Sequence, residues 1–186
     1  MDANNTYDKA VSICWTFGNE WLVVGFDSGA LSIFDPRDVA SGPRKTIYPH
    51  TKRINNIQFN KDKTLFVTAS SDKTAKLFDA ETLEVLSSFE SEVPVLTAAI
   101  SPTHPHVLIG GGEEKINITT SGAEGHFEVK FFNYMLGDFM GYVPGPFGPT
   151  NSIAIHPKGE SFVTGAEDGF MRVYPFPSSY LSAHTS

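Results

Sequence analysis

The stretch FVTASSDKTAKLFD, Phe66 to Asp79, decides the fold. A short apolar run reaches Thr68. A polar cluster, Ser70-Ser71-Asp72-Lys73, interrupts it, and a second run from Thr74 closes on an aromatic followed by an acid, Phe78-Asp79. Two short β-prone runs joined by an Asp-containing turn read as a β-hairpin, because Asp tolerates the turn backbone and bonds to main-chain N–H groups two residues on.

The hairpin recurs along the chain. Moving from Asp79 back to Asp35, a shift of 44, lays WLVVGFDSGALSIFD (Trp21 to Asp35) under LFVTASSDKTAKLFD without a gap. Moving forward by 96 lays IAIHPKGESFVTGAEDGFMRVY, ending at Tyr174, under IQFNKDKTLFVTASSDKTAKLF, ending at Phe78. In that match Thr164 takes the place of Thr68, Asp168 that of Asp72 and Tyr174 that of Phe78. A further copy, VLTAAISPTHPHVLIGG, starts at Val95, 41 after Ile54. Helical patterning is missing throughout. A period of roughly 40–45 residues built of four short strands is the WD-repeat blade of a β-propeller. The fold class expected is therefore all-β, a partial WD-repeat propeller of about four blades.

Composition agrees and narrows the function. The 16 Gly and 12 Pro punctuate the 186 residues as many short strands require. The single cysteine, Cys14, rules out an internal disulfide and a Cys-based zinc site. With no apolar leader at the N-terminus and no run of 18 apolar residues, a soluble, cytoplasmic chain without membrane contact is expected. A net charge of −7 argues against nucleic acid as a direct ligand. One basic cluster, Arg44, Lys45, Lys52 and Arg53, stands out and reads as a solvated loop.

Blades are expected at about residues 9–49, 50–91, 92–145 and 146–177, with 178–186 as a C-terminal tail. Blade three departs from the repeat. Asp72 maps onto Glu113, and the residues from Glu114 to His126 are an insertion whose alternating INIT run predicts a lengthened hairpin. Blade four lacks a fourth strand, since Pro175 and Pro177 are poor ladder donors. The arc is then open at both ends, as expected for part of a longer propeller.

Few residues suggest chemistry. A hydrogen-bond chain from His50 through Thr68 to Asp72 would tie blade two together, although Phe78 cannot donate as an indole would. In blade four Thr164 and Asp168 remain, but Pro146 stands where the His should be. In blade one Ser28 replaces the Asp and Thr6 the His. His104 and His106 flank Pro105 in what reads as an exposed turn, and two imidazoles without a third ligand make a poor metal site. Gly110-Gly111-Gly112 lacks the GxxxxGK[ST] pattern of a phosphate loop and reads as a place where a strand bends. No catalytic, metal or cofactor-binding residue is expected, and no enzyme activity.

The Gly110–Gly112 run, the INITTS stretch, Phe127–Phe132 (FEVKFF) and the FGPTN run from Phe147, taken together, resemble one family, the i subunit of eukaryotic translation initiation factor three. The resemblance covers nearly the whole chain and implies a seven-bladed propeller, with this chain its C-terminal half. It implies a non-catalytic cytoplasmic scaffold that docks the C-terminal helix of the b subunit, and the g subunit, for assembly on the small ribosomal subunit. Pro146, where the family usually has His, and the less acidic GDFMG run (Gly137–Gly141) depart from the family pattern. By analogy the helix is placed on an acidic rim of Asp72, Glu90, Glu92, Glu113 and Glu114, beside Val93 and Pro94. His50, Thr68, Asp72, Phe78, Thr164, Asp168 and Tyr174 are the expected structural residues. The alternative reading is a WD-repeat adaptor in another pathway, such as receptor-kinase signalling.

Overall fold

A computed structural model of the chain describes residues 8–113, 127–145 and 147–182. Four antiparallel sheets follow one another along the chain. Blade one is β1 (Ala10–Trp15), β2 (Leu22–Phe26), β3 (Leu31–Phe34) and β4 (Lys45–Ile47). Blade two is β5 (Ile54–Phe59), β6 (Leu65–Ser70), β7 (Thr74–Asp79) and β8 (Val85–Glu90). Blade three is β9 (Val95–Ile100), β10 (His106–Gly111), β11 (Val129–Asn133) and β12 (Asp138–Val143). Blade four is β13 (Thr150–Ile155), β14 (Ser161–Ala166) and β15 (Met171–Pro175). Strands pair in chain order within each sheet, so every connection is a meander step. Helix among the described residues is confined to two short 3₁₀ turns and α1 (Ser178–Leu181), and none is long and apolar enough to cross a membrane. The expected lengthened hairpin, Glu114 to His126, and Pro146 lie outside the described residues.

The repeat read in the sequence is visible in the ladders. The register slips between Ala10 and Ser12 in β1, between Ile54 and Asn56 in β5, and between Thr150 and Ser152 in β13. In β9 the slip falls between Thr97 and Val95, opposite Gly110 and Gly111. These are equivalent positions under the shifts of 44, 96 and 41 residues. A bulge at the start of each first strand adds local twist and lets the next sheet pack at an angle. Gly111 answers the question raised by the glycine run: a Cβ there would lie 2.0 Å from the Pro94 carbonyl oxygen, so only glycine lets β10 pass that close.

Apolar faces meet between successive sheets. Val23, Leu31, Ile54, Ile57, Phe66 and Phe78 fill the junction of blades one and two. Val67, Leu77, Phe89, Ile109 and Phe132 fill the next. Leu108, Val129, Phe131, Ile153 and Phe162 fill the last. The aromatic that ends each third strand was expected to be buried between sheets. Phe78 is 0% exposed and Phe132 buried, but Phe34 and Tyr174 are only half-buried. Phe34 occupies the place of Phe78 on the side of blade one where no further sheet lies among the described residues. Tyr174 stacks on Phe162 as Phe78 stacks on Phe66, at the same 4.8 Å, but it sits on the outermost strand of its sheet, which leaves its outer edge open.

Candidate docking rim

The turn between β6 and β7 is ordered by one carboxylate. Asp72 accepts from His50 Nδ1 (2.9 Å), the Thr51 N–H (3.0 Å), the Thr74 N–H (3.0 Å) and the Thr74 hydroxyl (2.7 Å). With Nδ1–H facing Asp72, Nε2 of His50 accepts from the Thr68 hydroxyl at 2.7 Å. The three residues named from the sequence are thus joined, but in a different order: His50, not Thr68, stands in the middle, because its two ring nitrogens reach Asp72 on one side and Thr68 on the other. The His50 side chain is fully buried and that of Asp72 is 8% exposed. Burial opposes ionisation of Asp72, yet the Thr74 hydroxyl, the Thr51 N–H and His50 outweigh it, and its pKa lies below the usual carboxylate value. Burial pushes the His50 pKa down, and the Asp72 charge recovers only part of the shift.

The other blades reach the same turn by different chemistry. In blade four Asp168 takes both guanidinium nitrogens of Arg172, at 2.7 and 3.2 Å, and this pairing chiefly lowers its pKa. Arg172, which stands where blade two has Lys76, thus occupies the acid that His50 holds in blade two. The Thr164 hydroxyl is buried and makes no hydrogen bond among the described residues. Thr164→Val is therefore expected to leave the melting temperature unchanged or to raise it slightly. The equivalent Thr68→Val should cost about 1–3 kcal/mol, because it strips a buried imidazole of its partner. Equal losses at the two sites in thermal melts would refute this asymmetry. In blade one the serine at the turn is held by Asp8, which accepts from both the N–H and the hydroxyl of Ser28. The sequence comparison missed Asp8, since it lies under Lys52 in the 44-residue alignment and matches nothing there. Thr6 lies outside the described residues.

Around the Asp72 turn the chain builds a rim. The Ser91 N–H donates to the Lys73 carbonyl (2.9 Å), which fixes the blade two to blade three connection against the turn. The Gly112 N–H donates to the Pro94 carbonyl (3.0 Å), which brings the end of β10 to the same connection. Glu90, Glu92 and Glu113 are exposed around half-buried Val93 and Pro94. The Asp72 carboxylate is turned into the blade, toward His50 and Thr74. Glu114 lies outside the described residues.

Two other groupings change in three dimensions. The basic cluster divides: Arg44 and Lys45 enter β4 beside a cavity of about 700 Å³ between blades one and two, with Arg44 4.1 Å from the Trp21 ring centre. Lys52 and Arg53 lie beyond β4, where Arg53 faces Asp27 at 3.9 Å. His104 and His106, read as an exposed turn, are instead buried at 6% and 7% exposure. Tyr180 of α1 covers them, its hydroxyl 2.7 Å from His106 Nδ1 and its carbonyl 3.1 Å from His104 Nε2. No repeat relation could have signalled that contact, which joins residues more than seventy apart.

Meander sheets in repeat register, packed face to face with an Asp-ordered turn, define a WD-repeat β-propeller chain. The family model described as "WD domain, G-beta repeat" matches residues 41–79 and 139–174. Within that class the chain is a relative of proteins named "Eukaryotic translation initiation factor 3 subunit I". It is 42% identical over 175 residues to the Taeniopygia guttata protein, covering 93% of this chain and 53% of that one. It is 43% identical over 181 residues to the Drosophila willistoni protein, covering 95% and 55%. It is 39% identical over 189 residues to the Mus musculus protein, covering 97% and 58%. The chain spans a little over half the length of these curated relatives.

Proposed function

We propose that this chain acts as a non-catalytic WD-repeat scaffold in the cytoplasmic translation initiation factor three complex, as part of a seven-bladed propeller whose C-terminal half it supplies. It docks the C-terminal helix of the b subunit, and the g subunit, for assembly on the small ribosomal subunit. The kinship with the subunit I proteins supports the setting. The observation that carries the docking reading is the rim itself: two main-chain hydrogen bonds gather exposed Glu90, Glu92 and Glu113 around an apolar Val93–Pro94 floor.

Such a surface suits an arginine with its aliphatic stem on the floor and its guanidinium forked onto a carboxylate. Asp72 contributes to the site by holding the turn whose Lys73 carbonyl anchors the connection that carries Glu92, and Glu114 extends the same rim in sequence. Glu92→Lys combined with Glu113→Lys should weaken binding of a peptide spanning the b-subunit helix at least about tenfold, because rim charges of the wrong sign repel a basic partner. Both side chains are exposed, so the melting curve should not move. Titration calorimetry measures the first and a thermal melt the second. Unchanged affinity in the folded variant would remove the rim as the docking site.

A further inference from the structure

The 96-residue shift that carries Asp72 onto Asp168 also carries Thr51 onto Phe147 and Thr74 onto Phe170. In blade two both threonines donate their N–H to Asp72. In blade four the same two N–H groups, now of Phe147 and Phe170, donate to Asp168 at 3.3 and 3.0 Å. One turn architecture thus holds two hydroxyl side chains in one blade and two phenyl rings in another. The rings are not used for packing. Phe147 is 95% exposed and Phe170 65% exposed. Both are fixed through their backbones to a carboxylate that Arg172 locks in place, so they stand on a rigid base.

We propose that Phe147 and Phe170 form an aromatic clamp for an arginine or lysine side chain of a partner polypeptide. The ring faces are electron-rich and attract cations. The Arg172 guanidinium already lies 5.5 Å from the centre of the Phe170 ring, which shows the ring accepting a cation from within the chain. Exposed Glu167 adds negative charge beside the clamp: its main-chain N–H donates to Pro149, two residues after Phe147. The net charge of −7 draws the same class of partner. Single-stranded RNA also stacks on paired aromatics, but it needs cations for its phosphates, and Arg172 is committed to Asp168 while Glu167 repels. This clamp is on a different blade from the Glu92 rim and does not depend on it.

The test uses the full chain and three fluorescein-labelled probes: a short glycine–serine peptide carrying two arginines, the same peptide with citrulline at both positions, and a short oligouridylate. Anisotropy should show the arginine peptide binding, with citrulline weakening it about tenfold. Phe147→Thr with Phe170→Thr, which restores the residue types of blade two, should weaken the arginine peptide by the same factor. The comparison is made in the Glu92→Lys, Glu113→Lys background, so that the rim cannot take the arginines in place of the clamp. If the double variant does not fold, Phe147→Thr alone replaces it, since that ring is almost wholly in solvent. Binding of the arginine peptide that is absent in the parent chain, or indifferent to the phenylalanine changes, or weaker than that of oligouridylate, overturns the proposal.

Discussion

Truncating Phe78 to alanine is expected to lower the free energy of unfolding by about 3–5 kcal/mol. The ring is 0% exposed and lies parallel to Phe66, 4.8 Å away with 4° between the planes. The core cluster it belongs to draws on two sheets, with Val23 and Leu31 from blade one and Ile54 and Ile57 from its own blade. Each is held by a hydrogen-bonded ladder, so neither side can collapse into the space left behind, and the cavity contribution stays large. Urea denaturation at constant m-value reads the loss as a shift in midpoint. Phe78→Leu, which keeps most of the volume, should cost less than half as much. A loss below about 1 kcal/mol for the alanine variant would mean that the ring lies outside the inter-blade core, since large-to-small changes inside a core cost more than that.

Phe78 also marks how far the fold could be read in advance. Strand positions, bulges and inter-sheet aromatics all obey the shifts of 44 and 96 residues, because each blade solves the same packing problem with the same side-chain alternation. What the shifts could not convey are contacts made once. Tyr180 over His104 and His106 is one, and it turned an expected surface turn into a buried pair. Asp8 on Ser28 is another: the turn of blade one has serine at the position of Asp72 and takes its acid from the strand entrance. Half-exposed Phe34 and Tyr174 show the opposite effect. Their residue types follow the repeat, while their surroundings depend on what lies beyond the repeat.

The candidate site divides along the same line. Exposure of Glu90, Glu92 and Glu113 follows from their places in the connections between blades. The inward turn of Asp72 follows from its partners, of which His50 could be named from the sequence and Thr51 and Thr74 could not; Thr68 reaches Asp72 only through His50. The basic cluster failed as a unit for a geometric reason. An extended segment advances roughly 3.3 Å per residue, so the seven steps from Lys45 to Lys52 carry the chain from one side of the blade to the other.

Replacing His50 by alanine is the second large effect, about 2–4 kcal/mol, because it removes a partner from a buried hydroxyl and a buried carboxylate at once. Thr68 and Asp72 lose contacts of 2.7 and 2.9 Å, and their side chains lie too deep for water to replace the imidazole fully. The same residue gives stability a pH dependence whose sign is fixed. Burial lowers the His50 pKa below its unfolded value of 6.5. Well above 6.5 the ring is neutral in both states and its contribution is complete. As pH falls below 6.5 the unfolded chain binds a proton here before the folded chain does, and stability is lost until the folded pKa is passed. Asp72 does not interfere in that window. Its own pKa is lowered from 3.8, so its contribution holds above 3.8 and disappears only in stronger acid. The parent chain should therefore lose stability between about pH 7.5 and pH 5.5 more steeply than His50→Ala. The variant starts lower, and the gap between the two narrows on acidification. His104, His106 and His156 are common to both proteins and drop out of the difference. Parallel stability profiles across that range would show that His50 takes up its proton as readily in the folded blade as in the unfolded chain, and that the Thr68–His50–Asp72 chain does not hold the ring neutral.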